Sequence, residues 1–235
     1  FKKKLIYFLL KIGLLQPFLK KICLSSKFGE VIYVGNQIKG FNLGEKTVLS
    51  FPLEYKGMEK NFLKLKKFHE KISSGGFTPE IIELNGKIPY SKEEILGEQD
   101  MNYPLIFKRL LDFYNFIGIE RIPIKKYASK LKKKTKDRSL REKLNALSKK
   151  NFTVFTTTLH GDIAKQNILI KDGKIVFIDW NPYKGPMTDD LVDLLKKGLS
   201  KKTFMSILEF YPKEIKINLN SYLMLSRISL EINKI

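Results

Sequence analysis

The residues with the clearest chemical potential lie close together, in the stretch Leu159–Asp193 (LHGDIAKQNILIKDGKIVFIDWNPYKGPMTDDLVD). It opens on His160-Gly161-Asp162, and after four further residues Asn167 stands directly before an apolar segment, Ile168–Ile170. Lys171-Asp172-Gly173-Lys174 is a turn signal, and a second apolar segment, Ile175–Ile178, ends on Asp179 and Trp180. A hairpin folded at that turn returns Asp179 to the side of Asn167. Two oxygen donors side by side suit Mg2+, which keeps several waters and is commonly held by one or two protein groups plus nucleotide phosphates. Asp162, earlier on the loop, is placed to orient a substrate hydroxyl and take its proton during attack on a terminal phosphate. Singly, each residue is ordinary: Asp162 and Asp172 read as turn carboxylates, Asn167 as a strand cap, Asp179 as a helix start. The joint spacing, with two apolar strands of matched length between the polar positions, points to phosphoryl-transfer chemistry.

The elements that position these residues are read from periodicity. Glu30–Val34 and Thr47–Phe51 read as strands of a small antiparallel sheet, separated by a stretch with Gly35, Gly40 and Gly44. Lys56–Ile72 carries Phe62, Leu65 and Phe68 at helical spacing and is stopped by Ser73-Ser74-Gly75-Gly76. Ile81–Leu84 and Lys87–Ser91 read as a hairpin around Asn85-Gly86. From about Asn102 the pattern turns helical: Pro104–Ile117, Arg138–Lys150, Leu191–Leu199, Thr203–Tyr211 and Leu219–Ile232. The basic run Lys125–Lys136 has little aromatic interleaving beyond Tyr127, so a solvated lysine face is favoured over a nucleic-acid surface.

Composition bounds the partners. With 235 residues, 43% of them hydrophobic, the chain can bury a sizeable core, which excludes wholesale disorder. The net charge of +20 favours anionic partners over cationic ones. A single cysteine, Cys23, can form no intrachain disulfide, and a cytoplasmic location is expected. Phe1–Ile22 alternates lysines with apolar residues, and its longest uncharged run, Leu5–Leu10, is too short to span a bilayer. It reads as a helix capping the fold, or as a basic amphipathic segment in peripheral contact with a membrane.

The stretch Leu159–Leu191 resembles the signature of the aminoglycoside phosphotransferase and choline kinase group of the protein-kinase-like superfamily: His-Gly-Asp, four residues, Asn, then a hairpin ending in Asp-Trp or Asp-Phe. The resemblance implies Asp162 as catalytic base, Asn167 and Asp179 as Mg2+ ligands, and ATP or GTP as phosphate donor. It also implies an α+β, bilobal, protein-kinase-like fold. The β-rich nucleotide lobe would span residues 1–94, and the mainly helical catalytic and substrate lobe residues 95–235. Gly185-Pro186 followed by Asp190-Leu191 looks like the family's downstream stretch, with Asp190 rather than Asp189 bracing the catalytic loop. Leu24–Val34 is similar to the nucleotide-covering hairpin, its turn at Ser25–Gly29, with Ser26 and Lys27 near phosphates. Thr47–Phe51 would be the third strand, the helix near Glu59 the one whose Glu pairs with a strand lysine, and Lys92–Gly97 the hinge, where backbone groups of Glu93 and Ile95 would hold adenine.

Three departures stand out. The third strand carries Ser50 where relatives have a phosphate-binding Lys or Arg, so the nucleotide loses a cation unless Lys46 or Lys27 compensates. Lys165-Gln166 replaces the common Pro-Trp or Pro-Gly, and Asn181 follows Trp180 where Glu is frequent. The leading expectation is a phosphotransferase acting on a hydroxyl of a sugar-, glycan- or lipid-like small molecule. An aminoglycoside is disfavoured because few carboxylates remain to bind a polycation. The alternative is a pseudokinase or scaffold with a basic partner-binding surface, and nucleic-acid binding ranks last.

Overall fold

The computed structural model describes residues 30–34, 37–42, 46–52, 64, 67–85, 90–94, 102–164 and 167–233. Phe1–Ile22, Ser26, Lys27, Glu59, Ile95, Lys165 and Gln166 lie outside the described residues. The chain divides into two compact units, Phe1–Gly97 and Glu98–Ile235.

The first unit is built on an antiparallel sheet of five strands in the order β1-β2-β3-β5-β4: β1 Glu30–Val34, β2 Gln37–Asn42, β3 Thr47–Pro52, β4 Ile81–Asn85 and β5 Tyr90–Glu94. Two expectations change here. The glycine-containing stretch between the first two expected strands holds strand β2, in which Gly40 pairs with Val31 on one side and Leu49 on the other. The first two strands of the sheet are joined between Val34 and Gln37, which pair directly, and the turn expected at Ser25–Gly29 lies outside the described residues. The last strand runs on to Glu94, which makes the first half of the expected hinge part of the sheet. Residues 67–73 are helical. The hydroxyls of Ser73 and Ser74 donate to the carbonyls of Glu70 and Lys71, and Gly76 adopts φ 64°, closing the helix where Ser-Ser-Gly-Gly marks a stop.

The second unit is mainly helical: α1 Tyr103–Ile117, α2 Ile124–Lys134, α3 Arg138–Ser148, α4 Asp189–Lys196, α5 Lys201–Leu208, α6 Lys213–Ile217 and α7 Leu219–Asn233. In α1 the apolar stripe Ile106, Phe107, Leu110, Leu111, Phe113 and Tyr114 is buried, and Asn102 caps the helix by accepting from the Leu105 amide at 3.3 Å. The basic run forms α2, whose Ile124, Tyr127, Ala128 and Leu131 face the core while Lys125, Lys126, Lys130 and Lys133 are exposed. Among the described residues no helix is long and apolar enough to cross a membrane.

Two small sheets carry the site in this unit. One has the order β10-β7-β6, with β6 Glu120–Pro123, β7 Thr153–Leu159 and β10 Tyr183–Pro186. Sequence reasoning missed all three strands. The β-branched run Thr153-Val154-Phe155-Thr156-Thr157-Thr158 was the available signal for β7. The other sheet is the hairpin of β8 Ile168–Lys171 and β9 Lys174–Phe177, with Ile168 opposite Phe177. Its turn has Asp172 at φ 50° and Gly173 at φ 72°, the two left-handed residues that a tight hairpin turn demands.

Candidate active site

Strand β7 is the middle strand of its sheet, and it delivers the chain straight into His160-Gly161-Asp162. The loop is held from two sides. From α4, the Asp190 carboxylate accepts the His160 amide at 3.0 Å, the Gly161 amide at 3.0 Å and the Tyr114 hydroxyl at 2.8 Å. Asp190 therefore braces the loop, the position that the family resemblance implied. Burial raises its pKa, against the hydrogen bonds that favour the anion. From the hairpin side, the Asn181 amide donates to the His160 carbonyl at 2.9 Å. Gly161 sits at φ 84°, and a Cβ there would lie 2.1 Å from the Asn181 carbonyl oxygen, so the close approach of these two segments requires glycine.

His160 is fully buried between the two sides. Its Nδ1 accepts the Asp162 amide at 3.2 Å, which places the proton on Nε2, and Nε2–H donates to the Ile178 carbonyl at 2.9 Å. Burial holds its pKa down, to about 4, so the ring is neutral at cellular pH. It packs on Trp180 with ring centroids 4.4 Å apart, and Trp180 donates to the Phe177 carbonyl at 2.9 Å and packs on Phe113 of α1. The imidazole thus ties the segment bearing Asp162 to the segment bearing Asp179. Sequence reasoning quoted His160 within its motif without this role.

The structure brings Asp162, Asn167 and Asp179 into one neighbourhood. The Asn167 side-chain amide donates to the Asp162 carbonyl at 2.9 Å and toward its carboxylate at 3.4 Å, and the Ile178 amide donates to the Asn167 carbonyl at 3.0 Å. With Nδ2 donating to Asp162, Oδ1 is the Asn167 atom that could serve as a cation ligand. Asp179 is exposed and stands at φ 53°, a left-handed conformation that Asp tolerates and that commonly accompanies a functional constraint. An amide oxygen and a carboxylate, without thiol or imidazole, form a donor set that fits Mg2+.

One site residue escaped sequence reasoning altogether. Lys197, at the end of α4, places its ammonium 2.9 Å from Asp162 Oδ1, 2.9 Å from Asp193 Oδ2 and 3.3 Å from the Ile163 carbonyl. Burial lowers its pKa, but the hydrogen bonds to the two carboxylates outweigh it and raise the value overall. The Asp193–Lys197 spacing of one helical turn was legible; the approach of Asp162 was not.

The nucleotide-binding candidates fare differently. Lys46 is exposed at φ 52° in the turn before β3, four residues ahead of Ser50 and thus about 13 Å from it along the strand. Glu93 pairs with Val48 on one side and Ile81 on the other, so its backbone belongs to the ladder of the sheet. Ser26, Lys27 and Ile95 lie outside the described residues.

No protein-family model matches the chain, and no curated protein matches it in sequence. Solved structures do. The choline kinase LicA from Streptococcus pneumoniae aligns with a TM-score of 0.62 at 15% identity, over 94% of this chain and 91% of that one. The macrolide 2'-phosphotransferase MphH from Brachybacterium faecium gives 0.55 at 12% identity over 86% and 84%. A thermostable mutant of the aminoglycoside phosphotransferase APH(4)-Ia gives 0.54 at 11% identity over 93% and 90%. The chain has the fold of these kinases. This kinase-like fold agrees with the α+β architecture expected from the Leu159–Leu191 motif.

Proposed function

We propose that this chain is a small-molecule phosphotransferase that moves the terminal phosphate of ATP or GTP to a hydroxyl group. The observation that carries the reading is the single hydrogen-bonded unit formed by His160-Gly161-Asp162, Asn167, the Ile178–Asn181 segment and Asp190. The fold shared with choline kinase and with macrolide and aminoglycoside phosphotransferases supports it, and LicA has also been solved in complex with AMP.

In this mechanism the Asp162 carboxylate, half exposed, accepts the proton of the incoming hydroxyl. Neutral His160 orients the Asp162 backbone through its Nδ1, and Asp190 prevents the loop from drifting. Asn167 Oδ1 and the Asp179 carboxylate would hold Mg2+, which when bound would supply positive charge to offset the negative charge that builds up on the transferred phosphoryl group. The acceptor is a neutral or anionic alcohol of sugar, glycan or lipid type. Both the net charge of +20 and the Lys197 ammonium beside Asp162 oppose a polycationic aminoglycoside. A lipid-like acceptor would go with peripheral membrane contact by Phe1–Ile22. The second reading, a pseudokinase, draws on Ser50, which is buried on β3 where a cation is expected.

The test is calorimetric binding of ATP and of GTP, with and without Mg2+, on the parent protein and on Asp179→Asn. Mg2+-dependent binding weakened by the substitution is the expected result, followed by label transfer to a panel of alcohols. Binding of neither nucleotide would overturn the proposal.

A further inference from the structure

We infer that Lys39, on β2, supplies the phosphate-binding cation that β3 lacks. The inference rests on the nucleotide-dependent reading above. In kinase-like folds a lysine on the third strand pairs with the nucleotide phosphates, and here that strand presents Ser50. Ser50 is 1% exposed, and its hydroxyl has no hydrogen-bond partner among the described residues. The position is thus small, polar and enclosed.

The register decides which cation can serve it. Lys39 lies directly opposite Ser50 in the antiparallel β2–β3 ladder. Residues so paired share one face of the sheet, with Cβ atoms about 4.5–5.5 Å apart. The four-carbon stem of a lysine is long enough to bridge that separation, so Lys39 can bring its ammonium to the place a β3 lysine would serve. The small Ser50 side chain leaves the stem room to cross. The other lysines of the sheet are excluded by geometry. Lys92 of β5 lies opposite Leu49, one residue along from Ser50 and hence on the other face. The β5 residue opposite Ser50 is Ser91, and Lys46 is about 13 Å away along β3. The cation thus stands one strand over from the position that Ser50 occupies.

The ligand class is a nucleoside di- or triphosphate, held by a point charge at its phosphates. The test measures binding of ATP and of adenosine, with Mg2+, to the parent protein, Lys39→Ala, Lys39→Arg, the double variant Lys39→Ala/Ser50→Lys, and Lys71→Ala on the exposed helix. Lys39→Ala should weaken ATP about 10- to 100-fold, the range for a charge-assisted hydrogen bond, while leaving adenosine unchanged. Lys39→Arg should retain most of the ATP affinity, and Lys71→Ala should match the parent. The double variant returns the lysine to β3 and should recover most of the loss, which a merely structural role of Lys39 would not produce. Should circular dichroism show the double variant unfolded, the difference between ATP and adenosine in Lys39→Ala decides the matter. Unchanged ATP binding in Lys39→Ala, or equal losses for ATP and adenosine, overturns the inference and leaves the phosphotransferase reading standing. A parent protein that binds neither ATP nor, in the calorimetry described above, GTP overturns both.

Discussion

Replacing Asp190 with Asn tests whether the brace positions the catalytic loop. The carboxylate accepts three donors at 2.8–3.0 Å: two backbone amides and one phenol. An asparagine keeps the shape, but only its Oδ1 can accept, and its NH2 faces donors. The Tyr114 hydroxyl can rotate and offer a lone pair; a backbone N–H cannot. At least one buried amide, of His160 or Gly161, is left unpaired, at about 1–3 kcal/mol. Since a domain of this kind is stable by roughly 5–15 kcal/mol, the unit stays folded while the loop loosens. Asp162 lies one residue beyond Gly161, and a misplacement of about 1 Å at a reacting group can cost about 100-fold in rate. The expected result is a loss of about 1–3 kcal/mol in urea unfolding, with hydrogen exchange at the His160 and Gly161 amides faster by about 5- to 150-fold. Phosphate transfer should fall in kcat, with nucleotide affinity nearly kept. Wild-type exchange at those two amides in Asp190→Asn would refute the bracing argument.

The neighbouring carboxylate is buried as well. Among the described residues Asp189 accepts from the Tyr183 hydroxyl at 3.1 Å and the Ser229 hydroxyl at 2.7 Å and from no backbone amide, and burial pushes its pKa up to about 8 from an ordinary 3.8. Its folded form therefore keeps a proton that the unfolded chain has lost. Its contribution to stability is full below about pH 4 and is lost as pH rises through 8, with a slope of up to about 1.4 kcal/mol per pH unit between. Asp189→Asn should flatten the fall in unfolding free energy between pH 5 and 8, and an unaltered profile would count against a protonated Asp189. Lys197→Met frees the Asp162 carboxylate from its ion pair. It should lower phosphate transfer about 10-fold while leaving calorimetric ATP affinity unchanged, and Lys197→Arg should restore part of the rate.

The local sequence already determined most of the candidate catalytic segment. Asn167, Asp179 and the turn at Asp172-Gly173 are near neighbours along the chain, and a tight hairpin between two short apolar strands admits essentially one register. Asp190 was picked out over Asp189 only by the resemblance of the Gly185–Leu191 stretch to the phosphotransferase family, since both acids stand in the first turn of the helix. Helices α1 and α3 were legible because each buries one stripe at a period of 3.6 residues, whereas α2 was read only as a basic run because its lysines outnumber the stripe Ile124, Tyr127, Ala128 and Leu131. Strand β2 was obscured by glycines that suggested a loop, and β10 by a Gly-Pro pair that reads as a turn although it can sit at a sheet edge. Tertiary structure alone decided three matters. It set the neutral tautomer of His160 through donors and acceptors on different segments, and brought Lys197 to Asp162 from 35 residues away. It also paired Lys39 with Ser50, since strand register depends on the hydrogen-bonded ladder and is invisible in the spacing of either strand by itself.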